Sequence, residues 1–260
     1  MLNIVLPIAG RGSQFVQANY RLPKPLIPVH GKPMIELVVN NIRPSRPHRF
    51  TFLVLQEHLE VRGIGETLTR IAPDCLIIPV RQVTEGSACT VLLARTVIEN
   101  DDPLMLVNSD QWVDIDINDY LGELDRQRAD GLIMTMKADD PKWSYVRCND
   151  AGKVVEVVEK QVVSNEATVG IYNFRRGQDF VRAADHMIAK NFRVNNEFYV
   201  APAYNEMIAK GAAIVTYNVG SVGAGMYGLG TPADLEEFLS LPISQTAVQS
   251  LSRSSAISPQ

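Results

Sequence analysis

Several features that would place a chain quickly are scarce or missing here. There are three cysteines, Cys75, Cys89 and Cys148. The number is odd and the spacing wide, so neither a disulfide framework nor a cysteine metal site is expected, and the thiols read as reduced. No apolar run reaches the ~18 residues of a membrane span. The start, Met1-Leu2-Asn3-Ile4-Val5, lacks the basic n-region and long apolar core of a signal peptide. A cytoplasmic protein is the expectation. Basic blocks are also missing: Lys plus Arg number 25 against 29 Asp plus Glu, a net charge of −4. That balance argues against nucleic acid and anionic membranes as partners. The chain carries no dinucleotide fingerprint and no P-loop. It has no internal repeat and no linker that would separate independent domains.

What is present suits a substantial core. The 260 residues are 46% hydrophobic, enough for one large α/β domain or two small ones. Short branched runs at Ile4–Leu6, Phe50–Leu55, Cys75–Val80 and Leu104–Val107 read as buried strands. Between them, Lys32–Ile42, His58–Ile71 and Thr90–Ile98 read as helices. Alternating strand and helix over residues 1–110 predicts a parallel sheet with helices on both faces and ligand sites at the strands' carboxyl ends. From Gly131 the pattern changes to closely spaced strands over residues 132–136, 145–147, 154–158 and 168–174. Asn149-Asp150-Ala151-Gly152 reads as a hairpin turn. Helices follow over residues 178–190 and 201–210, then a strand at 214–217. A helix start at 231–235 has Thr231 as cap and Pro232 at its first position. After Pro242 the chain is rich in Ser and Gln, and residues 243–260 read as a loose tail.

One stretch, Leu2 to Met34, organises the rest. The first strand runs into Ala9-Gly10-Arg11-Gly12-Ser13, small residues that let backbone N–H groups approach a ligand closely. Lys24 then sits between Pro23 and Pro25, which stiffen the loop around it. A lysine on a stiffened loop beside a glycine-rich turn suits a phosphate. Glu85-Gly86-Ser87-Ala88 is a second small-residue turn, and Asp110 ends a buried strand. Asp114-Ile115-Asp116 has the outline of a metal-binding D-x-D but reads as a polar edge past the site.

Taken together, Gly10-Arg11-Gly12-Ser13-Gln14-Phe15, Pro23-Lys24-Pro25-Leu26 and Gly31-Lys32-Pro33-Met34 resemble the signature of the sugar-phosphate nucleotidyltransferases. The similarity extends to about Leu239. It implies a glycosyltransferase-A-like fold, a Rossmann-like mixed and mostly parallel sheet flanked by helices. The implied domain is 1–242, with 1–110 holding the nucleotide and 111–242 the sugar. The implied reaction is attack of a sugar-1-phosphate, or a similar small phosphate ester, on the α-phosphate of a nucleoside triphosphate, with Mg2+ as cofactor. Pyrophosphate leaves, and the nucleotide-activated sugar would serve surface polysaccharide.

The same resemblance assigns residues. Lys24, Arg11 and Asp110 are the expected catalytic groups, with Asp110 also holding the metal. Ala9, Gly10, Arg11, Gly12, Ser13, Gln82, Gly86 and Ser87 would contact the nucleotide, the base lying against the backbone at Gly86. Glu159 and Lys160 match the family's E-K-P, although Gln161 stands where the proline would be. Val169 and Gly170 match the next sugar-pocket strand, with Gly170 leaving the ring room. Tyr145, Asn196 and Glu197 complete the expected sugar side. The base, the sugar and the oligomeric state stay open, a homo-oligomer included.

Two departures from the family pattern stand out. Gln14 replaces the arginine of the opening signature and cannot make its bidentate phosphate contact, a charge Arg11 would have to supply. Gly228 replaces the aspartate before Gly230-Thr231 that completes the metal site. Three consequences are open: Asp110 holds the metal with phosphates and water, another acid such as Glu197 substitutes, or catalysis is lost. The alternative function is accordingly a nucleotide-sugar-binding or regulatory protein of the same fold. A glycosyltransferase using a ready-made nucleotide sugar shares the fold but leaves Pro23-Lys24-Pro25 unexplained.

Overall fold

The computed structural model describes residues 1–60 and 63–254. In chain order the strands are β1 (Leu2–Ile8), β2 (Pro28–Val29), β3 (Lys32–Pro33), β4 (His48–Leu55), β5 (Leu76–Val80), β6 (Leu104–Val107) and β7 (Gln111–Val113). They continue as β8 (Gly131–Lys137), β9 (Ser144–Cys148), β10 (Val154–Glu159), β11 (Glu166–Phe174), β12 (Ile214–Val222) and β13 (Gly225–Gly228). The main sheet has the order β5-β4-β1-β6-β11-β8-β12-β13-β7, with β9 and β10 attached to β11; β2 and β3 form a separate hairpin. All pairings among β5, β4, β1 and β6 are parallel. Antiparallel pairing enters with β11, which joins β6 to β8.

Both faces of the first strands are covered, and the residues alternate accordingly. Leu2, Ile4, Leu6 and Ile8 of β1 face one core, together with Met34, Ile35 and Val38 of the helix Met34–Asn41. Val5 faces the other, together with Phe180 and Ala184 of the helix Gly177–Ala189. Strand β6 repeats this, with Met105 and Val107 on one side and Leu104 and Leu106 on the other. Period-two alternation between two dry faces is why these strands read as continuous apolar runs rather than mixed ones.

The hairpin between β9 and β10 turns at Asn149, whose N–H donates to Lys153 O at 2.9 Å. The helix Pro232–Ser240 opens with a capping box: Thr231 accepts from Asp234 N, and Asp234 Oδ2 accepts from Thr231 N. Asp116 caps the helix Ile117–Arg126 by accepting from Asn118 N, so Asp114-Ile115-Asp116 is helix punctuation. That helix, β7 and β13 occupy stretches from which the sequence yields no element.

Of the expected helix over 58–71, residues 61 and 62 lie outside the described residues, and the rest holds two helices, Gln56–Leu59 and Ile64–Ile71; the one over 90–98 is Ser87–Leu92 followed by Arg95–Ile98. The loose tail expected from residue 243 is corrected: Pro242–Ser254 is a helix. Ala247 is 2% exposed, Ser244 is buried, and Ile243 and Val248 pack on the core. Ile243 and Ala247 are spaced i, i+4 and share one helical face, a periodicity that abundant Ser and Gln conceal. Residues 255–260 of the expected tail lie outside the described residues. Among the described residues no helix is long and apolar enough to cross a membrane.

Candidate active site

Two adjoining cavities open at the carboxyl ends of β1 and β6, where open α/β sheets place their ligands. The smaller, about 270 Å3, lies between Gly10, Gly12 and Lys24 on one side and Asn108, Ser109 and Asp110 on the other. The larger, about 490 Å3, extends from Asp110 toward Glu159, Lys160, Tyr172 and Tyr199. Asn108 and Asp110 line both.

The loop after β1 turns into a short helix, Ser13–Gln17, anchored by buried Phe15. Gly12 at its start has φ +62°, and a Cβ there would touch Lys24 Cβ at 3.2 Å, so the two loops are in contact. Pro25 is buried and fixes the turn on which Lys24 stands. Lys24 Nζ donates to Asp110 Oδ2 at 2.8 Å, the side chains being 17% and 36% exposed. Asp110 is itself held by the pairing of β7 with β13, since its carbonyl accepts from Leu229 N at 2.7 Å. Gln14, in place of the family's arginine, lines the larger cavity.

Some expected residues stand elsewhere. Arg11 is 72% exposed, with Nε 3.7 Å from Glu57 Oε1, outside both cavities. Ala9 is a core residue and lines neither cavity. Ser13 and Gln82 are exposed, and neither lines a cavity, whereas Ser87 does.

Gly86 has a structural task. Phe198 N donates to Glu85 O at 2.8 Å and Ala88 N donates to Phe198 O at 3.0 Å, so the 198 backbone lies on the turn. A Cβ on Gly86 would stand 2.5 Å from Phe198 N, and its φ of +131° is one that side chains rarely adopt. The chain's own segment thus fills the space that a side chain at Gly86 would need. At Gly170 a Cβ would strike the Asn108 side chain, 2.5 Å from Nδ2, so the glycine makes room for Asn108. Gly170 and Val169 do line the larger cavity, at a register shift in β11.

On the far side, Glu159 ends β10 and is only 8% exposed. The Ser144 hydroxyl donates to Glu159 Oε2. Burial raises the Glu159 carboxyl above the usual range, against the pull of the Ser144 hydrogen bond and Lys160. Lys160 Nζ donates to the Tyr199 hydroxyl at 2.7 Å, which helps raise its own pKa. Thr168 and Tyr172 share a hydroxyl hydrogen bond of 2.9 Å behind Glu159, and burial pushes the Tyr172 phenol up.

Tyr145 is not a wall of this pocket. It is fully buried in the core and donates its hydroxyl to Asp140 O at 2.8 Å. Its neighbour Ser144 points into the cavity instead, because successive strand residues face opposite sides. Asn196 and Glu197 are exposed on a tight turn closed by hydrogen bonds between Val194 and Glu197. Glu197 faces Tyr199 and Lys160, and the following Tyr199, Val200 and Ala201 line the cavity. Sequence reasoning passed over Ser144, Thr168, Tyr199 and Asp234, all cavity-lining. Strand parity counted from Glu159 would have found Ser144, its partner across β9 and β10.

Among the described residues no group of three or more His, Cys, Asp or Glu is arranged to hold a metal ion. Any cation here would therefore draw on fewer than three such side chains and on oxygens that a ligand brings. The arrangement as a whole places glycine-rich backbone and a lysine at one end, and buried hydrogen-bonding side chains at the other.

The sequence pattern of the family described as nucleotidyl transferase matches residues 3–204. A bifunctional protein GlmU from Methanococcus aeolicus is 21% identical over 176 residues, 66% of this chain and 40% of that protein. The chain thus spans less than half the length of that relative. A UTP–glucose-1-phosphate uridylyltransferase from Salmonella typhimurium is 27% identical, covering 61% of this chain and 64% of that one. Among solved structures, a nucleoside-diphosphate-sugar pyrophosphorylase from Vibrio cholerae superposes with a TM-score of 0.75 at 25% identity, over 93% of this chain and all of that one. With the fold, the glycine-rich opening and a match over most of its length in agreement, this chain belongs to the nucleotidyl transferase family.

Proposed function

We propose that this protein is an enzyme that moves a nucleotidyl group from a nucleoside triphosphate to a sugar-1-phosphate or similar small phosphate ester, with Mg2+ as cofactor. The products are pyrophosphate and a nucleotide-activated sugar. One observation carries the reading: the Lys24–Asp110 pair stands where the two cavities meet. That is where a triphosphate held by the glycine turn would present its α-phosphate to an acceptor held by Glu159 and Lys160.

An acceptor phosphate oxygen forms a bond to the α-phosphorus while the bond from that phosphorus to the bridging oxygen of pyrophosphate breaks. No proton has to move, so the protein's work is positioning and charge neutralisation. The Gly10 and Gly12 backbone lies along the triphosphate. The Lys24 ammonium leaves Asp110 and meets the charge developing on the α-phosphate. Glu159, fixed by Ser144, accepts from acceptor hydroxyls, and Lys160 meets the acceptor's phosphate. Asp110 fits a hard cation, since its Oδ2 already holds the Lys24 ammonium, and would be one carboxylate ligand of a Mg2+ that also takes water and phosphate oxygens. Bound there, Mg2+ would neutralise triphosphate charge beside Lys24. We place the reaction in the cytoplasm, where the scattered free thiols are stable, and its product in surface polysaccharide synthesis.

A second reading, a nucleotide-sugar-binding protein without turnover, is favoured by Gly228 and Gln14 standing where the family has an acid and an arginine. Pyrophosphate release separates the two. Each of CTP, UTP, dTTP, GTP and ATP is offered with Mg2+ and a panel of sugar-1-phosphates and other phosphate esters. Release with one triphosphate, dependent on one ester and lost in Asp110→Asn, is expected. Silence across the panel together with thermal stabilisation by a nucleotide sugar would support the second reading.

A further inference from the structure

Gly228 ends β13 opposite Gln111 of β7, one register step from Asp110. Its missing side chain leaves open the space in front of Asp234: a Cβ there would stand 3.4 Å from Asp234 Cβ and Cγ and 3.7 Å from Asp234 Oδ1. Gly230 opens the same space from the other side. A Cβ on Gly230 would lie 3.4 Å from Asp110 Oδ2 and 3.6 Å from Asp234 Oδ2. Two carboxylates from different elements therefore converge on one point, and both line the larger cavity with Gly228 and Gly230 between them.

We propose that Asp234 is the second carboxylate of a divalent-cation site shared with Asp110, in a space that Gly228 and Gly230 keep clear. Charge balance supports this. The Lys24 ammonium occupies Asp110 at 2.8 Å and stands in for a cation there. Once Lys24 turns to a phosphate, Asp110 and Asp234 face each other as two negative charges, which a divalent ion matches. The Asp234 oxygen on the Asp110 side is Oδ2, which also makes the cap and keeps a second lone pair. Oδ2 accepts from Thr231 N at 3.0 Å, while Oδ1 lies on the Gly228 side and takes no hydrogen bond from the described residues. Glu197 is a poorer candidate, since it faces Tyr199 and Lys160 and lies outside the cavity lining.

The inference rests on the cation in the proposed reaction, and its test reads the cation without turnover. Free Mn2+ is titrated with the full-length protein, and the loss of the free-ion electron paramagnetic resonance signal reports binding. Asp234→Asn keeps an oxygen for the Thr231 N–H, so the helix start survives while the charge is removed. It is expected to weaken Mn2+ about tenfold, as is Asp110→Asn, with Glu197→Gln unchanged. Adding Gly228→Asp to Asp234→Asn places a carboxylate back in the same space and is expected to restore binding. Wild-type affinity in Asp234→Asn, or no Mn2+ bound by the wild type, would overturn the assignment. A protein that binds Mn2+ as described but releases no pyrophosphate would overturn the proposed reaction and leave the site standing.

Discussion

On the Lys24 side of the cavities the wall is largely backbone: Gly10 and Gly12, exposed neighbours at Arg11 and Ser13, and one ammonium on a proline-stiffened turn. Beyond Asp110 the wall is made of side chains that are buried and bonded to one another, Ser144 to Glu159 and Thr168 to Tyr172. Backbone amides and a point charge suit a phosphate chain, which every nucleoside triphosphate carries alike. Fixed, desolvated hydrogen-bonding groups reject a partner that fails to satisfy them, and so they discriminate. By that contrast the proposed chemistry would belong to the open half and acceptor choice to the buried half.

The largest effect should come from the open half. Lys24→Ala is expected to lower the rate of pyrophosphate release by roughly 10²–10³-fold, the usual loss for one charge-stabilising donor. Its unfolding free energy should move by less than about 1 kcal/mol, because the substitution chiefly removes a partly exposed ion pair with Asp110. A large stability loss instead would erase the contrast between the halves.

Gly86→Ala tests the seam that joins them. Its Cβ would meet the Phe198 backbone in a left-handed conformation, for an expected loss of about 2–3 kcal/mol in urea unfolding. An unchanged midpoint would mean that the 198 segment does not rest on this turn.

Glu159→Gln sharpens the contrast from the buried side. The acceptor KM should rise about tenfold with little change for the triphosphate. Stability should respond with a definite sign. Burial raises the folded-state carboxyl above its ordinary 4.5, so the folded chain holds that proton more tightly than the unfolded chain does. Stability due to the proton is complete below 4.5 and is lost as pH rises through the folded value. The variant should therefore melt higher than the wild type at about pH 7 and not at about pH 4, as thermal unfolding at both values would report. Arg11→Ala should have the smallest effect, about threefold or less on turnover, since the guanidinium points to Glu57 from an exposed position. A loss as deep as that of Lys24→Ala would show that the open half recruits Arg11 when substrate binds.

Much of the fold was legible because strands buried on both faces read as unbroken apolar runs, as β1, β4 and β6 do. Turn and cap chemistry was equally local: the Asn149–Gly152 hairpin and the Thr231 cap lie where their residue types put them. Less legible were β7, β13 and the helix that follows residue 241. The two strands are three and four residues long and exist through their partners, and the helix shows its apolar face only at Ile243 and Ala247. At the site, residue types and resemblance named Lys24, Asp110, Glu159 and Lys160, and the structure lines the cavities with all four. They misplaced Tyr145 by one strand position, and they gave no sign that Phe198 and Asn108 pack where Gly86 and Gly170 lack a side chain.

Residue order alone was enough for whatever neighbours along the chain control: the alternation of elements, the glycine-rich turn, the stiffened lysine and the caps. Whatever depends on direction and on partners far apart was settled by packing in three dimensions. Lys24 reaches Asp110 across 86 positions, and Asp234 comes to the same cavity through the pairing of β7 with β13. Residue type encodes which chemistry a group can do. The side of a strand or turn from which it does so follows from packing, where one residue of register exchanges cavity for core.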